Sequence, residues 1–456
     1  MFSLMKFCEL KNLLVSFTLL LIAFSCESQS ISRTKTERLE KFVDTLVQPL
    51  IDRAEIAGIA VGVMRNDSIL LLKSYGYADL EFNVPLPVNA SFEIGSITKQ
   101  FTAVAIMQLV EKGFIKLDDK ISEHLYFNLK EEITIRQLLT HTSGIKEHQL
   151  GDMVYHDYPK DTLLRLVEKK ELDFKPGIMM MYNNTGYKIL GLLIEKITGQ
   201  TYEEYITGNF FEKLNMTNSY LADLETIKKF RAHGYNNIRK DGKLTRAEQP
   251  HFYWTFSAGG LSSTTEDLLK WIQALHQSEI LMKKESYHQL IAAGQLIEGI
   301  SLRYAMGLQV LNYKGYDVIG HGGSGSGILC DSRYFPDQNL TIVTLQNTYR
   351  RASESEISYS IADKLLPLKS RIKKKFEGDL SRYKGVYNGI LQVTVDIVDS
   401  ELVIKKPGQT TGDTLYYIGD QKWLLGTDEY SFKEENGKVK EMHWNLISAH
   451  FILEKK

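Results

Sequence analysis

The sequence predicts an α+β protein: an antiparallel sheet flanked by helices with an all-helical region, followed by a small all-β antiparallel barrel. Three observations carry this reading. β-rich runs occur at Ile59 to Tyr77 and return only at Gly307 to Leu345. Stretches with helical apolar spacing fill the chain between them. After Lys369 the texture changes to short alternating strands. Strands at both ends of a helical middle argue against repeated βαβ units.

The 456-residue chain begins with Lys6 and Lys11 ahead of an apolar run, Leu13 to Phe24, that ends at Ser25-Cys26. This reads as a signal peptide over 1–26, since the run is too short for a membrane span. Ala23-Phe24-Ser25-Cys26 resembles a bacterial lipoprotein cleavage site. The expectation is an exported protein of the periplasm or cell envelope, either lipid-anchored through Cys26 or plainly secreted. Of three cysteines, Cys8 leaves with the signal and Cys330 stands alone, so no internal disulfide framework is expected. A net charge of −1 offers no field for a polyanion, which excludes nucleic acid as a partner. The one dense basic run, Lys369 to Lys375, reads as a solvated linker between a first domain over 34–368 and a second over 376–456.

In the first domain, Phe42 to Ile56 is helical, and Asn66-Asp67 turns a hairpin between Ile59–Met64 and Ile69–Tyr77. Phe92 to Glu111 reads as one long helix. Further helices are expected at 134–139, 161–169, 186–198, 201–214 and 265–275. In the second domain the strands run from Leu391 to Leu453, with His443 to Leu453 as the last, and Asn436-Gly437 fits a type I′ hairpin.

Chemistry is carried by three elements. The first is Ser96-x-x-Lys99, whose spacing puts both side chains on one helix face. Serine is a weak nucleophile, and a lysine with a lowered pKa can take its proton. The bare pattern occurs six times in the chain, and only Ser96 follows a glycine, Gly95, at the entry to a long apolar helix. There, backbone N–H groups favour developing negative charge. The plainer alternative is that Ser96 is an N-cap. The second element is Tyr182-Asn183-Asn184, after Pro176-Gly177 and before a helix. A neighbouring ammonium would lower the Tyr182 phenol and make it a general base, while Asn184 supplies an amide that donates and accepts. The third is Gly320-His321-Gly322-Gly323-Ser324 in a β-run, where glycines permit close backbone approach.

Together these motifs resemble the serine β-lactamase and penicillin-binding-protein superfamily. The closest branch is the class C β-lactamase-like group, which includes esterases, D-aminopeptidases and D-alanyl-D-alanine carboxypeptidases. The resemblance covers Ala54 to Asn347 and includes the phrases KLDDKIS (Lys116 to Ser122), TIRQLLTHTSGI (Thr134 to Ile145) and SAGGLSSTTEDLLKW (Ser257 to Trp271). It implies that Ser96 is acylated, that Lys99 handles its proton, and that Tyr182 is the base for acylation and activates water for deacylation. It implies that Asn184, His321 and Gly323 border the substrate and that the N–H groups of Ser96 and Ser324 form the oxyanion hole. No metal and no cofactor are implied. The C-terminal segment resembles lipocalin-like accessory barrels.

The third motif departs from the β-lactamase pattern, since His321 stands where lysine opens Lys-Thr/Ser-Gly. A histidine of ordinary pKa is a poor partner for a substrate carboxylate. The expectation is therefore a serine hydrolase for esters or peptides, D-amino-acid peptides included, rather than β-lactams. The alternatives are a β-lactamase or carboxypeptidase, or a non-catalytic sensor that keeps the fold. Titration of His321 is expected to give an acidic limb between pH 5 and 8. The partner is a small-molecule or peptide substrate.

Overall fold

The computed structural model describes residues 36–456 except 127–128, 148–161, 224–225, 249–251, 368–373 and 390. The signal segment with Cys8 and Cys26, and the basic run up to residue 373, lie outside the described residues. Among the described residues no helix is long and apolar enough to cross a membrane.

The chain opens with helix α1 (36–52) and the expected hairpin of β1 (Gly58–Arg65) and β2 (Ser68–Asp79). Its turn residues Asn66 and Asp67 have φ of 46° and 61°, the left-handed values a type I′ turn demands. After β3 (Val84–Pro85) the sheet is completed by β4 (Gln309–Tyr313), β5 (Tyr316–Gly325), β6 (Ile328–Phe335) and β7 (Leu340–Gln346). The order is β4-β5-β6-β7-β1-β2-β3, antiparallel at every pairing. The two ends of the domain therefore meet at β1–β7, where Ile59 faces Gln346.

The central strand β1 is buried on both faces, and its period-2 alternation feeds two cores. Ile59, Val61 and Val63 face a core with Leu39, Val43 and Val47 of α1 and Ile357 and Ile361 of the last domain helix, Glu356–Leu365. Ala60 and Met64 face the helical region, built on α2 (Thr98–Glu111), α3 (Asn184–Thr198) and α4 (Thr265–Gln277). α2 is buried from Thr98 to Leu109 on all its faces, as expected of a helix enclosed by others. Its Phe101 stacks on Trp271 of α4 with ring centroids 3.8 Å apart.

One expected element divides. Phe92–Glu93 is a short strand paired with Leu261–Ser263, Gly95–Ile97 is a 3₁₀ turn, and only then does α2 begin. The apolar pattern runs on through this break because both pieces face the same core.

The second domain forms a ten-stranded antiparallel sheet that curls into a nearly closed barrel. Its strands are β8 (Gly385–Asn388), β9 (Gln392–Val398), β10 (Glu401–Lys405), β11 (Asp413–Thr414), β12 (Tyr416–Gly419), β13 (Lys422–Leu425), β14 (Asp428–Glu435), β15 (Lys438–Asn445) and β16 (Ala449–Lys455). The order β11-β10-β9-β8-β16-β15-β14-β13-β12 leaves β11 and β12 as the two edges, with Leu415 between them. Tyr383, Tyr387, Trp423, Tyr430, Phe432 and Leu453 fill the interior. The expected single strand His443 to Leu453 is two strands, β15 and β16, folded at residues 446–448. That turn carries no Gly or Asn-Gly signal, which is why the sequence pattern runs through it. The tenth strand comes from the first domain: Met180–Met181 pairs with Ala449 and His450.

Candidate active site

Ser96 lies in the 3₁₀ turn ahead of α2. Gly95 has φ +51°, a conformation that favours glycine, and turns the chain sharply before the serine. Ser96 caps nothing: neither the turn nor α2 has a side-chain cap, so the N-cap alternative is not what this residue does.

Lys99 follows one turn later and is fully buried. Its Nζ donates to Asn184 Oδ1 and to Ala258 O, each at 2.7 Å, and lies 3.1 Å from Ser96 Oγ. Burial holds this amine well below the usual lysine range; Glu147 opposes the shift and Lys188 adds to it. Asn184 Oδ1, Ala258 O and Ser96 Oγ all lie within hydrogen-bonding reach of Nζ. An amine that has given up its extra proton would keep two N–H donors for the first two and turn its lone pair to the Ser96 O–H.

Tyr182 leads into α3, where Asn183 is the N-cap and accepts from Gly186 N–H at 2.7 Å. Lys99 Nζ stands 4.7 Å from the Tyr182 ring centre. The expected lowering of the phenol by a lysine ammonium does not occur. Burial pushes Tyr182 well above its usual value, with Ser96 opposing and Tyr187, Glu354 and Glu147 adding. Its hydroxyl is buried beside Ser96 without a hydrogen bond of good geometry. Asn184 Nδ2 donates to Glu147 Oε1 at 3.2 Å and its N–H to Glu147 Oε2 at 2.7 Å. Asn184 thus ties Lys99 to Glu147 at the α3 N-terminus, where a carboxylate is favoured.

The third motif lies on β5 and packs against the serine turn. A Cβ on Gly323 would stand 2.1 Å from Ile94 O and 3.4 Å from Ser96 N, so only glycine fits. A Cβ on Gly95 would stand 3.2 Å from Ser324 N. The N–H groups of Ser96 and Ser324 are therefore neighbours at one corner of the cleft. His321 is 2% exposed and faces inward. Its Nδ1 donates to Gly322 O at 2.6 Å, so its Nε2 accepts from Tyr304 O–H at 2.9 Å.

Burial, with Lys99 adding, takes His321 down to about 3. It is neutral from pH 5 to 8, and the expected acidic limb from this residue is not supported. Dividing the pH–rate profile of wild type by that of His321→Gln should give a ratio constant from pH 5 to 8. A ratio that bends near pH 6.5 would return the limb to His321.

The cleft, about 310 Å³, is bordered by Ser96, Asn184, Glu93, Glu147, Lys188 and Ser324. Glu93 pairs with Arg231 at 3.2 Å. Burial lowers Lys188 to about 8, with Glu147 opposing. Sequence reasoning gave no role to Glu93, Glu147, Lys188, Tyr304 or Glu354. Glu354 lies against the third motif, its Oε2 2.6 Å from where a Gly322 Cβ would be. His141, quoted within a supporting phrase, was also given none. It has φ 60°, accepts from Asn183 N–H at 3.1 Å and packs 4.4 Å from the Tyr182 ring. The sequence carries only the polar run Thr140-His141-Thr142-Ser143-Gly144, which does not show the left-handed turn. Among the described residues no cluster could hold a metal ion.

A serine beside a buried lysine of lowered pKa, with the Ser96 and Ser324 backbones in close approach at the cleft, fits a serine hydrolase. The chain belongs to the Beta-lactamase family, whose model matches residues 43–365. It is 31% identical over 247 residues to Protein flp of Staphylococcus aureus (strain COL), covering 52% of this chain and 49% of that protein. The chain spans about half the length of the curated relatives it matches first. Penicillin-binding protein 4* of Bacillus subtilis (strain 168) is 28% identical over 376 residues, 76% of this chain and 82% of that one. Among solved structures, the octameric penicillin-binding protein homologue from Pyrococcus abyssi superposes with a TM-score of 0.63 at 27% identity, over 91% of this chain and 99% of that one. The D-amino acid amidase from Ochrobactrum anthropi, at 20% identity and TM-score 0.63 over 72% of this chain and 99% of that one, shares the fold.

Proposed function

We propose that this chain hydrolyses small esters or amides, D-amino-acid peptides among them, through an acyl-enzyme on Ser96. The observation that carries the chemistry is the buried Lys99 amine, its pKa held well below the usual lysine range, 3.1 Å from Ser96 Oγ. Lys99 takes the serine proton as Oγ bonds to the acyl carbon. The N–H groups of Ser96 and Ser324 meet the negative charge on the carbonyl oxygen. The neutral Tyr182 phenol gives a proton to the leaving group as its bond to carbon breaks, and regains one from Lys99. Water then attacks the acyl carbon, passes its proton to the same pair, and Ser96 leaves reprotonated.

Charge around the cleft favours neutral or ammonium-bearing acyl groups over carboxylates. Where the β-lactamase pattern has a lysine, this chain has an inward-facing neutral His321, with the Glu354 carboxyl beside Gly322. Glu93 and Glu147 border the cleft, and its cation, Lys188, stands on the helix wall beside Glu147 rather than on β5. A D-amino-acyl amide with a free amine is expected to exceed its N-acetyl counterpart at least tenfold in kcat/KM, and a chromogenic cephalosporin is expected to be slowest. Burial raises the Glu354 carboxyl, so Glu354→Gln should favour the cephalosporin over a neutral ester more strongly at pH 8 than at pH 6. A cephalosporin preferred by wild type would sink the substrate assignment.

A further inference from the structure

The barrel is seated on the strand that carries Tyr182. Between β15 and β16 the chain folds back at 446–448, with Leu446 N–H donating to Ala449 O at 2.8 Å. On the outside of this turn, Ala449 pairs with Met181 and His450 with Met180. Tyr182 N–H donates to Ser448 O at 2.8 Å. At the tip, Ile447 packs against the first-domain core that β1 shares with α1 and helix Glu356–Leu365. The same side of the barrel holds the segment that leads to Tyr304. Asn445 Nδ2 donates to Ser301 O at 3.2 Å, Lys433 pairs with Glu298 at 2.8 Å, and the Arg303 guanidinium donates to Thr427 O. Tyr304 in turn donates to His321. Met180, Leu296, Leu302 and Tyr304 form a small core of their own between these contacts, with Tyr182 packed on it.

A two-residue strand cannot hold itself in place, and a buried backbone N–H needs a partner. Here His141 O of the first domain accepts from Met181 N–H at 3.0 Å on one side, and the second domain supplies the strand's ladder partner and the acceptor for Tyr182 N–H on the other. We propose that the barrel is a positioning element of the active site: the Ser448 carbonyl and the Ala449–His450 edge hold Tyr182 in register with Ser96 and Lys99. This rests on reading Tyr182 as the proton carrier of the proposed reaction. A shift of about 1 Å in such a group costs on the order of 10²-fold in rate.

The test uses the full chain with Ile447→Asp, which puts a charge at the docked tip, and Ile447→Val, which keeps it apolar. Two quantities are read: amide hydrogen exchange across 180–183, and the rate at which a fluorophosphonate labels Ser96. In Ile447→Asp, exchange at 180–183 should accelerate at least tenfold and labelling should slow 10–100-fold, while peptides around Trp423 and in α2 keep their protection. Ile447→Val should match wild type in both. Faster exchange with labelling within twofold of wild type would overturn the proposal, and so would unchanged exchange in Ile447→Asp. Acceleration spread equally over α2 and β1 would overturn it too, as general unfolding. A wild type that never labels would refute the hydrolase reading by itself, while the exchange measurement would still judge the clamp.

Discussion

Ser96→Ala should abolish covalent labelling by a fluorophosphonate and lower kcat by on the order of 10⁶, the loss seen when a serine nucleophile is removed from an intact site. Removing this hydroxyl takes away the nucleophile that stands 3.1 Å from Lys99 Nζ. Stability should change little. Ser96 caps no helix and is partly exposed, and substitutions free of such structural duties stay within about 0.5 kcal/mol. Intact mass after labelling, with thermal unfolding of both proteins, checks both parts. An adduct that persists on Ser96→Ala, at unchanged melting temperature, would place the nucleophile elsewhere.

Lys99→Met should slow acylation by about 10²–10⁴-fold, the range for loss of a positioned proton acceptor. Methionine keeps the apolar stem in the same buried channel. It leaves Asn184 Oδ1 and Ala258 O without their donor, a pH-independent cost of about 1–3 kcal/mol each. The amine itself works the other way. Its folded pKa lies well below its unfolded one, so between the two values the unfolded chain binds more protons and wild-type stability rises with pH. The melting temperature of Lys99→Met relative to wild type should therefore be higher at pH 7 than at pH 9.5. A difference that does not change with pH would mean that Lys99 is an ammonium in the folded protein, and the base would then have to be sought elsewhere.

Much of the frame could be read locally. The β1–β2 hairpin follows from alternation and from two residues that tolerate positive φ. α3 follows from its N-cap Asn183 and from Gly199, which ends it with φ 70°. Ser96 and Lys99 share a face because three residues make nearly one helical turn. The misread elements fail for physical reasons as well. Phe92 to Glu111 looks continuous because strand, turn and helix bury their apolar residues in one core. The 446–448 fold is invisible because a turn of Leu, Ile and Ser is secured by the domain it touches rather than by its own conformational preferences.

Residue identities and their order along the chain determined which chemistry was available: a serine one turn ahead of a lysine, a tyrosine before a helix, and a glycine strand able to approach the serine. These depend on covalent spacing and local backbone preference, which a sequence carries in full. The protonation states were decided only by the tertiary structure. Lys99 has a lowered pKa because α2 is enclosed on every side, and its amine bonds to Asn184 and Ala258, 85 and 159 residues away in the chain. His321 is neutral because it faces Tyr304 rather than water. Tyr182 is held by a carbonyl of the other domain. Desolvation and contacts between distant segments set these states, and neither exists until the chain has folded.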